Sequence, residues 1–175
     1  MRSFLLLLGT SVMGVALAAG TTPDASAPPN VHESMKNVVA VQMQAVWDLG
    51  NKAMDDNGNA DASKLTAAEW GQLLQAATQV KQASQSLAVA RQFRAAAPGQ
   101  KLDGEGNPGA TSAQQVQGFI DAKPDAFRAF AQALVASMNP IIAAAQAKDA
   151  AKLLDASGAI DQICENCHLQ FWYPK

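Results

Sequence analysis

From Val31 onward, apolar residues recur at steps of three and four along almost the whole chain, and no stretch alternates as a half-buried strand would. That rhythm restricts the fold class to all-α. Nearly half of the residues are hydrophobic, 49%, against 16% charged, so one domain over 31–175 has the material for a buried core. Four long amphipathic segments are expected. Helix A covers 31–54, with Val31, Met35, Val39, Met43, Val46 and Trp47 on its inner stripe. Helix B covers 67–95, and Thr66 with Glu69 supplies a capping-box start. Helix C begins at Pro124, a favoured first-turn residue, and carries Asn139-Pro140 as an expected kink. Helix D runs from an Asp149 cap to about Phe171. A short extra helix over 112–122 precedes helix C. Such a pattern predicts a four-helix bundle in up-down-up-down order.

Two connections stand out. Asp55-Asp56-Asn57-Gly58-Asn59 reads as a surface turn, because it lacks the spaced ligands and closing glutamate of a calcium loop. The segment 98–111 holds four glycines and two prolines and is expected to run over the surface.

The chemistry is concentrated in Cys164-Glu165-Asn166-Cys167-His168. Two cysteines three apart with histidine next form the c-type haem attachment signature. The thiols can bond the haem vinyl groups as thioethers, and the histidine can ligate the iron. On a helix, positions 164, 167 and 168 share one face. The chain has no other cysteine, and its one other histidine is His32. Zinc would want further ligands. A thioredoxin-like pair would want a βαβ setting, which is absent from the pattern.

The N-terminus agrees with this reading. Arg2, an apolar run from Phe4 to about Ala16, and small residues through Gly20 predict a secretory signal over 1–19, followed by a flexible leader over 20–30. The expected location is the periplasm, with no stable membrane span after cleavage. A net charge of −2 and the lack of a basic patch argue against nucleic acid as a partner. No hydrolytic or nucleophilic constellation stands apart from the haem motif, so no enzyme is expected.

A helical bundle with export signal and with Cys164, Cys167 and His168 near the end of its last helix resembles the class II cytochromes c, the cytochrome c-prime group. The resemblance implies a monohaem protein with one covalent haem c. It implies either single-electron transfer with periplasmic redox partners or a five-coordinate iron that binds nitric oxide or carbon monoxide. It also leaves a homodimer open. The glycine-rich segment 98–111 departs from the compact family pattern.

Which of the two behaviours holds turns on the sixth iron position. In an up-down-up-down bundle, helix A runs antiparallel to helix D, so the first turns of A face His168. Met35 lies there, whereas Met43 is roughly 12 Å further along the axis. Met35 is therefore the candidate distal ligand. His32, one turn earlier, is an alternative ligand, but is expected to be a solvated residue near a frayed terminus. A vacant site is the third option. Arg91 is the candidate propionate contact, with Arg94 beside it, both late in helix B. Phe171, Trp172 and Tyr173 follow the motif and are expected to shield one haem edge. Lys36 and Lys101 carry no special reading. The remaining alternative is an exported helical domain with a reducible Cys164–Cys167 pair and no haem.

Overall fold

The computed structural model describes residues 27–173. The export signal read at 1–19, the leader residues 20–26 and residues 174–175 lie outside the described residues. Among the described residues the regular elements are all helical, and extended pairing is limited to two isolated bridges, Asn30 with Arg94 and Met54 with Ala60. The protein is all-α.

The first long segment is continuous but not uniform. It consists of α1 (Val31–Ser34), a π-helical stretch Met35–Val39, and α2 (Ala40–Lys52). At the end of that stretch the Ala40 N–H donates to the Met35 carbonyl, five residues back. Such single wide turns occur often at functional sites. The Asn30 side chain accepts from the Glu33 N–H at 3.2 Å and so caps the start. The N–H groups of Val31 and His32 would lack helical partners. They donate instead to the carbonyls of Arg94 (2.8 Å) and Ala95 (3.0 Å), more than sixty residues away. The following turn is held by Asp55, whose carboxylate accepts from the Asn57 and Asn59 amides at 2.9 and 2.8 Å, as a surface turn would be.

The capping box forms at the start of α3 (Ala67–Val89), with Thr66 and Glu69 exchanging side-chain-to-backbone bonds. Lys52, at the end of α2, also donates to the Glu69 carboxylate. The Lys52 ammonium and then the Thr66 groups hold that carboxyl down to about 2. This clasp joins the end of α2 to the start of α3, so the two helices run antiparallel. Thr66→Ala is expected to cost about 1 kcal/mol, seen as a lower urea midpoint with an unchanged slope.

Helix B was expected to reach residue 95. It stops at Val89, and residues 90–97 form a non-helical strap. The strap is held by residues 29–32: besides the two bonds above, the Arg94 N–H donates to the Pro29 carbonyl at 3.0 Å. Segment 98–111 is largely exposed, as expected, but its Leu102 is buried in the second of two apolar cores. A second capping box, Ser112 with Gln115, opens α4 (Ala113–Ala122). Pro124 opens α5 (Pro124–Ala147), which runs unbroken through the exposed Pro140.

Helix D was expected as one element. It is two, α6 (Ala150–Ser157), capped by Asp149, and α7 (Ile160–Phe171), with Gly158 and Ala159 between them. The Ser157 hydroxyl bonds back to the Leu153 carbonyl at 2.8 Å, beside the break. Glycine has the weakest hold on helical geometry of any residue but proline.

The widest interface joins α3 and α5; α2 packs on α3, and α5 also contacts α6 and α7. Two apolar cores result. One gathers Met43, Val46, Leu73, Val80, Met138, Ile141, Leu153 and Ile160. The other gathers Val31, Leu87, Phe93, Leu102, Val116, Ile120, Phe127 and Phe171. Met35 packs against both. On α7, Cys164 packs against the first core and Cys167 against the second. The motif therefore lies over the seam between them.

Candidate functional site

The last helix sorts its residues by face. Glu165 and Asn166 point outward, where Asn166 accepts from Gln162 at 2.8 Å and Glu165 accepts from the Tyr173 hydroxyl at 2.8 Å. Cys164, Cys167 and His168 are half-buried on the opposite face. The chain then turns: the Trp172 and Tyr173 N–H groups both donate to the His168 carbonyl, at 2.8 and 2.9 Å.

All three motif side chains line one cavity of about 280 Å³. Its facing wall comes from the first segment, with Met35, Val39, Met43 and Trp47, and Leu134 and Ile163 fill the sides. Met35 thus shares a cavity with His168. The antiparallel course of α2 and the last two helices brings them together: Met35 stands near His168 at one end, and at the other a Cβ on Gly50 would lie 4.0 Å from Ser157 Oγ.

The electrostatics of this face are uniform. Burial pushes the Cys167 thiol up to about 12, with Cys164 beside it adding to the effect. Burial, then the Asp161 charge, raises the Cys164 thiol. Burial lowers the His168 imidazole against a smaller opposing pull from Glu165. Both sulfurs and the imidazole are therefore neutral near pH 7. A neutral imidazole has the free lone pair that a metal needs. A reactive redox pair has the opposite character, with a thiolate stabilised by nearby positive charge.

These residues fit a haem. The cavity is apolar, two thiols and one imidazole share a wall, and a thioether sulfur stands on the other wall. No cluster of three or more His, Cys, Asp or Glu side chains suited to a bare metal ion occurs among the described residues. One or two axial ligands are enough for an iron already held by a macrocycle's nitrogens.

A second groove, of about 310 Å³, adjoins the first and shares Met35, Ala40 and His168 with it. His32, Lys36, Asp103, Trp172 and Tyr173 complete it. Here the structure corrects the expectation for His32. It is not a solvated end residue but is buried, with 4% exposure. Its ring stacks on Trp172 at 6.2 Å between centroids, and neither ring nitrogen has a hydrogen-bond partner. Lys36, given no reading from sequence, donates to Asp103 Oδ1 at 2.8 Å, and this bond holds the Asp103 carboxyl below its usual range. The signal that would have exposed His32 lies in the loop 98–111, which returns over it. No local pattern near residue 32 records that.

Arg91 is placed elsewhere. It follows the end of α3, is exposed, and lines a groove with Pro28, Pro29 and Ser86. Arg94 is turned to the leader, donating to the Pro28 carbonyl at 3.4 Å. Neither arginine lines the cavity of the motif. Of the aromatics expected to shield the site, Trp172 lies between His32 and His168, with ring centroids 6.2 and 6.5 Å away. Tyr173 is 5.8 Å from His168 and half-exposed. Phe171 is a core residue, edge-on to Phe127 and Phe130, and it also lines a small cavity with Met35, Cys167 and His168.

No described helix is long and apolar enough to cross a membrane. No family model, curated protein or solved structure matches this chain.

Proposed function

We propose that the protein is an exported monohaem c-type cytochrome that passes single electrons, built as a four-helix bundle of the class II type. The observation that carries this reading is the shared apolar cavity, with Cys164, Cys167 and His168 on one wall and Met35 on the other. The bundle reading is supported by the Lys52–Glu69 clasp between α2 and α3, and by the approach of Gly50 to Ser157 with Met35 to His168. In that scheme α1 with α2, α3, α5, and α6 with α7 are the four arms, and α4 is the short extra helix.

Bound haem supplies a one-electron ferric–ferrous couple. Each residue then has a distinct task. Cys164 and Cys167 would hold the macrocycle through thioether bonds. His168 would offer a neutral imidazole nitrogen to the iron. Met35, across the cavity, would offer its sulfur, a ligand that favours the reduced state and raises the potential. Val39, Met43, Trp47 and Leu134 exclude water and keep the local dielectric low. Leu169 and Tyr173, both partly exposed, form an apolar rim on the same helix end. Redox partners in the periplasm would meet the protein at such a rim.

The test is the exported protein made in a host that attaches haem. The expected result is a mass increase of one haem, with low-spin visible bands and a sulfur-to-iron charge-transfer feature in the ferric form. High-spin bands that shift with nitric oxide would replace electron transfer by gas binding. A colourless protein with no added mass would overturn the haem reading.

A further inference from the structure

A buried polar group without a partner costs on the order of 1–3 kcal/mol. His32 has two such atoms, since both ring nitrogens lack partners at 4% exposure. In any tautomer at least one of them is an N–H donor. The nearest carboxylate oxygen is Asp103 Oδ1, 3.8 Å from Nε2, beyond hydrogen-bond reach. That same oxygen accepts from Lys36 Nζ at 2.8 Å. A ring nitrogen and an ammonium thus converge on one carboxylate oxygen, and the carboxylate present stands too far out to satisfy the ring. Asp103 belongs to the glycine-rich loop, and its side chain is 65% exposed. It can yield Lys36 without disturbing either core.

The groove between these donors is contiguous with the motif cavity, because Met35 and His168 line both. The motif cavity has no cationic side chain on its walls. A macrocycle seated there carries two carboxylates that need charge and donors from elsewhere. Arg91 and Arg94 do not provide them, since neither lines either space.

We propose that the groove beside the motif receives a haem propionate, with the His32 imidazole donating a hydrogen bond to it and Lys36 supplying the compensating charge. This rests on the haem c reading above. It gives the buried ring the acceptor it lacks, and it moves the propionate contact from Arg91 to α1 and the π-helical stretch that follows it.

The holoprotein tests it, with His32→Leu, His32→Gln and Lys36→Met beside Arg91→Gln as control. Haem mass, axial coordination by visible and electron-spin-resonance spectra, propionate bending bands in the Raman spectrum, and the reduction potential are read for each. All four variants are expected to keep the haem mass and the wild-type axial coordination. His32→Leu and Lys36→Met shift the propionate bands and lower the potential, because a less neutralised carboxylate favours ferric iron. His32→Gln recovers most of the wild-type bands through its amide N–H, and Arg91→Gln changes nothing. Wild-type bands and potential in His32→Leu would overturn the proposal and leave the cytochrome reading intact. A changed axial ligand in His32→Leu would also overturn it, by making the imidazole an iron ligand. Wild-type protein with no haem mass would remove the parent reading itself, and the proposal with it.

Discussion

Cys164→Ala combined with Cys167→Ala is expected to remove covalent haem from the exported protein entirely. The variant should lack the added haem mass and the stained haem band on a denaturing gel. Each single variant should retain at most one thioether, with a red-shifted band in the reduced pyridine adduct where attachment survives. The fold should persist. Both cysteines are only half-buried, and losing a small side chain from a partly exposed wall costs roughly 1 kcal/mol. Helical circular dichroism therefore serves as the internal control. If the double variant keeps a haem that survives denaturation, the thiols are not the attachment points.

The second large effect belongs to Met35→Leu. Leucine has nearly the volume of methionine, so packing against the two cores should cost less than about 1.5 kcal/mol. What is removed is the sulfur. The ferric spectrum is expected to change from low-spin to high-spin with loss of the charge-transfer band. The potential should fall, and the ferrous protein should bind carbon monoxide readily where the wild type resists it. Conversely, identical spectra for Met35→Leu and wild type would make Met35 a core filler, and the sixth position would belong to another group or to none. Met43 lines the same cavity but is fully buried in the first core, so Met43→Leu should leave coordination unchanged.

The legible parts of this molecule were those encoded locally. Thr66 with Glu69, Asp149 and Pro124 each mark a helix start through a bond or a fixed dihedral within one turn. The motif spacing is equally local, so one helical face for Cys164, Cys167 and His168 followed from counting. Two of the differences depend on distant partners. Residues 90–95 read as helix, yet the carbonyls of Arg94 and Ala95 are taken by Val31 and His32. That long-range pairing outweighs local propensity and moves Arg91 off the helix. Nothing adjacent to His32 announces its burial, because it is Leu102 and Asp103 that return over the same end. The break at Gly158 rests on one weak helix former, which alone is a poor signal. The wide turn at Met35–Val39 has no sequence signature at all.

That wide turn also sets where the first segment tolerates a change in length. A π turn is an α-helix carrying one surplus residue, taken up within the turn itself. Removing one position such as Val38 is therefore expected to restore ordinary winding with Met35 and His32 close to their present faces. Removing one position from the regular winding of α2 has the opposite outcome, because everything before it turns by about 100° around the axis. The sulfur and the imidazole of His32 would then both rotate away from the seam while every side chain that makes the site is still encoded.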